Sequence, residues 1–102
     1  MALDVLLIDD SSVMRKVLAR ALRQGGLEIA DIHEAGDGLE GLAALDRVGS
    51  VDVILCDWNM PNMNGLEFVS QARAKGHGMP IVMVTTESGD ERIQQARDAG
   101  AD

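Results

Sequence analysis

Basic residues are scarce in this chain, cysteine is scarcer, and no hydrophobic run is long. Lys and Arg together number 9 of 102 residues against 17 Asp and Glu, which leaves a net charge of −8. A nucleic-acid module needs a basic face, so that class is excluded. The single cysteine, Cys56, has no partner for an internal disulfide and reads as a small core residue. His33 and His77 stand far apart, and neither shows a ligand-like spacing, which argues against a zinc site. No apolar stretch approaches the roughly 18 residues of a membrane helix. The start, Met1-Ala2-Leu3-Asp4, has neither the basic stretch nor the cleavage-like site of a signal peptide. A cytoplasmic protein without membrane contact is therefore expected.

What is present is enough for one domain with one core: 102 residues, 46% of them apolar. The pattern alternates strand and helix four times. Strands are expected at Val5 to Asp9, Ile29 to Ala35, Val53 to Asp57 and Ile81 to Thr85. The second is mixed in polarity, which suits an edge. The other three are near-continuous apolar runs, which suits strands covered on both faces. The first helix starts after Ser11 or Ser12 and stops at Gly25-Gly26. It carries Val13, Val17 and Ala21 on one stripe and Met14, Leu18 and Leu22 on the next. The second, Leu39 to Val48, follows a Gly36-Asp37-Gly38 turn and should turn Leu39, Leu42, Ala43 and Leu45 inward. The third runs from Leu66 to Ala74, opened by Gly65, and the fourth from Asp90 to Ala99. Such alternation with short loops predicts an α/β fold, a parallel sheet with helices on both faces.

Three acids stand where apolar strands end: Asp9 and Asp10 after the first run, Asp57 after the third. In a parallel sheet these ends share one edge, so the carboxylates should meet in one crevice. Crowded carboxylates repel, and a bound cation is the usual remedy; an all-oxygen ligand set favours a hard ion such as Mg²⁺. The loop Asp9-Asp10-Ser11-Ser12 lacks glycine and is anionic, so it is no phosphate cradle. With a cation held there, the Asp57 carboxylate is a plausible nucleophile toward a phosphoryl group. Thr85 can offer its hydroxyl to a phosphoryl oxygen, and Asn59 its backbone carbonyl to the metal. Singly, each acid is as well explained as a helix cap or turn residue. On one edge together, they read as a site.

Asp9-Asp10, Asp57, Met60-Pro61, Gly65 and Thr85, at their spacing, resemble the receiver domains of two-component response regulators. The run Asp57-Trp58-Asn59-Met60-Pro61-Asn62-Met63-Asn64-Gly65 is similar to the single-domain chemotaxis members in particular. The resemblance implies a flavodoxin-like doubly wound sheet of order 2-1-3-4. It implies Asp57 as acceptor of a phosphoryl group from the phosphohistidine of a sensor kinase, and Mg²⁺ arranged by Asp9, Asp10, Asp57 and the Asn59 carbonyl. It further implies Thr85 as a switch hydroxyl, Asn59 and Glu87 as tuners of hydrolysis, and Met14 with Glu87 at the mouth of the site. Trp58 would be a solvent-flanking reporter. The downstream partner would be a protein target such as a flagellar motor switch.

The chain departs from the pattern in one respect. Members of the family continue past Gly-Ala-Asp into a fifth strand that ends in lysine, and then into a fifth helix. Here the residues stop at Asp102, and the lysines are Lys16 and Lys75. A receiver domain over 1–102, C-terminally truncated before strand 5, is therefore expected. Its fourth strand should be an exposed apolar edge, and the sheet face that the first helix would share with a fifth should be half uncovered, which favours a homo-oligomer. The alternative to a working phosphoacceptor is then a signalling-incompetent fragment. A phosphatase of the haloacid dehalogenase type, which would need an acid two residues after the nucleophile, is disfavoured because Asn59 stands there. The chain is thus read as a phosphoacceptor with at most self-phosphorylation and autodephosphorylation.

Overall fold

The computed structural model describes residues 2–84 and 90–102, the side chains of 90–92 excepted. The elements run β1 (Leu3–Ile8), α1 (Ser12–Gln24), β2 (Ile29–Ala35), α2 (Gly38–Val48), β3 (Val53–Cys56), α3 (Gly65–Ala74), β4 (Ile81–Met83) and α4 (Asp90–Ala99). The four strands form one parallel sheet in the order β2-β1-β3-β4. The chain therefore winds outward from β1 in both directions, and the reversal falls between β1 and β3. That is the position at which open α/β sheets hold their ligands, beyond the carboxyl ends of the strands.

Alternation along β1 divides its side chains between two layers. Leu6 and Ile8 point into the main core with Leu42 and Leu45 of α2, Phe68, Val69 and Ala72 of α3, and Ile54, Cys56 and Ile81 of the neighbouring strands. Val5 and Leu7 are equally buried but stand outside that cluster, on the face that α1 covers. The local chemistry starts each helix cleanly. The Ser11 side chain accepts from the Met14 N–H, Asp37 from Glu40, and Asn64 forms a capping box with Glu67.

Several expectations need correction. Leu39 is 52% exposed and Ala43 is exposed, while Gly41 and Ala44 face inward. The reason is the closeness of the layer: a Cβ on Gly41 would stand 2.7 Å from Ile8 Cδ1 and 3.0 Å from Phe68 Cε1. The inward stripe of α2 is set by what fits, not by what is most apolar. In β4, Val82 is 40% exposed, so this strand is not covered on both faces. Its outer edge is also not bare. The Asp102 N–H donates to the Ile81 carbonyl at 2.9 Å, and the Ile81 N–H donates to Asp102 Oδ2 at 3.0 Å. The strands β1, β3 and β4 each stop before the polar residue expected to end them, at Ile8, Cys56 and Met83. On the sheet face that α1 covers, Val5 and Leu7 are buried while Val82 is exposed; on α1 itself Val13 and Val17 are exposed and line a groove with Lys16, Arg20 and Ala21. No helix among the described residues is long and apolar enough to cross a membrane.

Candidate functional site

The ladder of the sheet runs one step past the strands and aligns the acids. The Asp9 N–H donates to the Ala35 carbonyl at 3.0 Å, Asp57 to Ile8 at 2.8 Å, and Val84 to Cys56 at 2.9 Å. Asp9 and Asp57 are thereby held on adjacent strands at the reversal point. One carboxylate oxygen from each of Asp9, Asp10 and Asp57 lies within 4.8 Å of the other two. Asp9 is buried, Asp57 half-buried and Asp10 exposed, so the cluster opens outward on the Asp10 side.

Backbone donors orient two of the three. Asp9 Oδ1 accepts from the Ser11 N–H at 2.8 Å, and Asp57 Oδ1 from the Trp58 N–H at 2.8 Å. Burial pushes the Asp57 carboxyl above the usual carboxylate range. The Trp58 N–H opposes this, the charges of Asp9 and Asp10 add to it, and the Asn59 N–H opposes it again. The net upward direction is that of an anion short of positive charge. Cys56, directly before Asp57, is fully buried, and its thiol is pushed up to about 12, chiefly by burial and then by Asp57 and Asp9. It is a core residue, as its sequence position implies.

The donor set suits a hard divalent ion: three carboxylates, all oxygen, one face open to water ligands. The cation at hand is Arg15. Its Nη1 donates to the backbone carbonyl of Asp9 and its Nε to Glu34 Oε1 at 2.9 Å, so it braces β1 against β2 rather than neutralising the acids. Lys75 pairs with Asp46 at 3.5 Å, and Lys16 belongs to the α1 groove.

Of the residues expected from sequence, Asp9, Asp10 and Asp57 come together, and Asn59 stands exposed beside them. Thr85 and Glu87 lie outside the described residues. Met14 is 43% exposed in the first turn of α1. Trp58 corrects its expectation: at 6% exposure it is a member of the main core, because the chain turns inward after Asp57 to bring α3 against the sheet. Gly65 permits that approach. Its N–H donates to the Trp58 carbonyl at 2.8 Å, and a Cβ there would overlap the Asp57 carbonyl oxygen. Arg15 and Asp37 were not singled out by sequence reasoning; for Asp37 the signal was present as an acid three residues before Glu40, the pattern of a helix cap. A second grouping, Asp4, Asp31 and His33, converges at the opposite end of the strands. His33 thus stands beside two acids, one of them on the neighbouring strand. On a strand, residues two apart share a face, and Asp31 and His33 are two apart on β2.

Comparison with known proteins completes the description. The family model described as "Response regulator receiver domain" matches residues 5–102. A chemotaxis protein CheY homolog of Campylobacter jejuni (strain 81-176) is 44% identical over 98 residues, covering 94% of this chain and 74% of the relative. CheY1 of Helicobacter pylori (strain J99) is 41% identical, with 94% and 77% covered. The crystal structure of Vibrio cholerae chemotaxis protein CheY4 superposes with a TM-score of 0.85 at 37% identity, covering 99% of this chain and 82% of that one. With the four-stranded order and the acids at its switch point, these likenesses show a flavodoxin-like, CheY-like receiver of two-component signalling: the chain belongs to the response regulator receiver domain family.

Proposed function

We propose that Asp57 is the phosphoacceptor of a chemotaxis-type signalling chain, taking its phosphoryl group from the phosphohistidine of a sensor kinase. The observation that carries this reading is the convergence of the Asp9, Asp10 and Asp57 oxygens within 4.8 Å at the switch point of the sheet. Asp57 Oδ1 accepts from the Trp58 N–H, which orients the carboxylate whose oxygen attacks phosphorus. The P–O bond to Asp57 forms as the P–N bond of the donor breaks, and the electron pair leaves with the imidazole. Asp9, Asp10, Asp57 and the Asn59 carbonyl would hold Mg²⁺, which, when bound, offsets the charge that gathers on the phosphoryl oxygens. Asp9, fixed by Ser11, sets the depth of the site; Asp10 borders its open side. Thr85 is assigned the hydroxyl that meets the phosphoryl group, and Asn59 and Glu87 the control of water access during hydrolysis. The phosphorylated form would engage a downstream protein such as a flagellar motor switch.

Incubation with acetyl phosphate and Mg²⁺, followed by intact mass, tests the reading. One added phosphoryl mass is expected, absent in Asp57→Asn and absent in EDTA. A protein that stays unmodified with Mg²⁺ bound overturns phosphoacceptance. It would leave the alternative of a signalling-incompetent receiver. Self-association is a further proposal, supported by the exposed Val13, Val17 and Val82. Light scattering across a dilution series decides it: a dilution-stable monomer excludes it.

A further inference from the structure

The end of the sheet opposite the acidic crevice carries a second, chemically different set of ligands. Asp4 lies on β1, and Asp31 and His33 on β2; one ligand atom from each lies within 4.8 Å of the other two. The register brings this about. Asp4 pairs directly with Asp31 and Leu6 with His33, so alternation puts all three side chains on one face. Asp4 and His33 are half-buried and Asp31 is exposed, which leaves the group reachable from solvent.

Two features mark this as more than a patch of surface charge. Like charges directly opposite each other on paired strands are destabilising, and Asp4 and Asp31 are such a pair. No Lys or Arg among the described residues pairs with either acid. The side chains of Asp4, Asp31 and His33 enter none of the ion pairs or hydrogen bonds formed there. The neighbouring charge is again negative, for Asp52 Oδ2 accepts from the Asp4 N–H at 2.8 Å. The third member is an imidazole, the ligand type that separates borderline metals from Mg²⁺ and Ca²⁺.

We propose that Asp4, Asp31 and His33 form a second metal site, one that takes a borderline divalent ion of the zinc class. Two carboxylates and one imidazole supply three ligands, and a tetrahedral ion completes its shell with water on the open side. The two ends of β1 then select by ligand chemistry: all-oxygen at Asp9, Asp10 and Asp57, mixed nitrogen and oxygen at Asp4, Asp31 and His33. They are separated by about 16 Å of strand, five residues at about 3.3 Å each. An ion at the lower end ties the edge strand β2 to the central strand β1, so its expected effect is on stability and on β2 exchange, independent of phosphoryl chemistry.

The experiment is calorimetric titration of the full chain with ZnCl₂ in millimolar Mg²⁺, which keeps the acidic crevice supplied with its own ion. Uptake of one equivalent is expected, with affinity at least tenfold weaker in His33→Gln and in Asp31→Asn, unchanged in His77→Gln and unchanged in Asp10→Asn. Asp31 is exposed, so its substitution tests the site without threatening the fold. Amide shifts on zinc addition should centre on residues 4 and 31–33. Zinc uptake that Asp10→Asn removes and His33→Gln does not would assign the ion to the crevice and overturn the proposal. Absence of uptake at submillimolar zinc would overturn it as well.

Discussion

The Asp37 carboxylate receives a 2.7 Å hydrogen bond from Nδ2 of Asn62, a residue 25 positions later and held at a positive φ of 65°. The other carboxylate oxygen caps α2 through the Glu40 N–H at 2.8 Å. One buried side chain therefore ties the start of α2 to the loop that follows Asp57. The adjoining Gly38 N–H donates to the Met63 carbonyl at 3.1 Å and closes the same seam. A loop beside the acidic cluster must be held without regular structure of its own, and this contact helps to hold it.

Asp37→Ala should cost about 1–2 kcal/mol, the usual range for a lost cap. The carboxyl of Asp37 is held below its ordinary value of 3.8, first by the Glu40 N–H and then by Asn62. A depressed folded value means that its contribution is complete above 3.8 and is lost as pH falls through that value and then through the lower folded one. Stability measured by denaturant between pH 5 and pH 2 should fall less steeply in Asp37→Asn than in the parent. An identical slope in both would remove Asp37 from the acid response.

Gly65→Ala should be among the most damaging single changes. The added methyl meets the Asp57 backbone carbonyl, and Met83 Cε stands 2.8 Å away. The methionine can yield, but the backbone cannot without moving Asp57 itself. The expected loss is about 3 kcal/mol, the upper end of overpacking costs. Mg²⁺ affinity, measured under conditions where the variant remains folded, should fall as well. An unaltered melting temperature would show that α3 can move away from Asp57 freely.

Much of this arrangement was legible because each relevant feature is local. Apolar runs mark the strands, Gly25-Gly26 stops α1, and α4 spans Asp90–Ala99 as its pattern implied. The convergence of Asp9, Asp10 and Asp57 followed from strand ends alone. What stayed hidden depends on distance between layers or on register. Leu39 looked internal until Gly41 let α2 settle onto Ile8 and Phe68. Trp58 looked peripheral because a site residue precedes it, yet the chain folds inward there. Asp4 meets Asp31 and His33 only through the β1–β2 register, which no spacing within one segment discloses.

Arg73 joins three segments through one side chain. Its Nε donates to the Gly100 carbonyl at 2.9 Å, its Nη1 to His77 at 2.9 Å and Met79 at 2.7 Å, and its Nη2 to Asp102 Oδ2 at 3.1 Å. The end of α3, the approach to β4 and the residues after α4 therefore share one guanidinium. Arg73→Ala leaves those carbonyls to water and should cost roughly 3 kcal/mol, since bonds to charged groups are the stronger kind. Arg73→Lys, a point charge without the fork, should recover less than half. Hydrogen exchange at Ile81, whose N–H bonds to Asp102, should accelerate in both variants while that of Leu6 tracks only the global loss.

Trp58 offers the readout for the metal. It is the chain's one tryptophan, tyrosine is absent, and its backbone N–H bonds to Asp57 Oδ1, so its emission comes from the residue next to the acidic cluster. Mg²⁺ held by Asp9, Asp10 and Asp57 would offset the burial, and with it the charges of Asp9 and Asp10, that now raise the Asp57 carboxyl. A saturable change in emission is expected, reversed by EDTA. Asp10→Asn should weaken it more than tenfold, because a directly placed charge is lost from an exposed and adaptable position. Asp9→Asn should weaken it too and also destabilise the chain, since Asp9 is buried and its Oδ1 holds the Ser11 N–H at the start of α1. Emission that ignores Mg²⁺ in the folded parent would separate Asp57 from any metal bound by the other two acids.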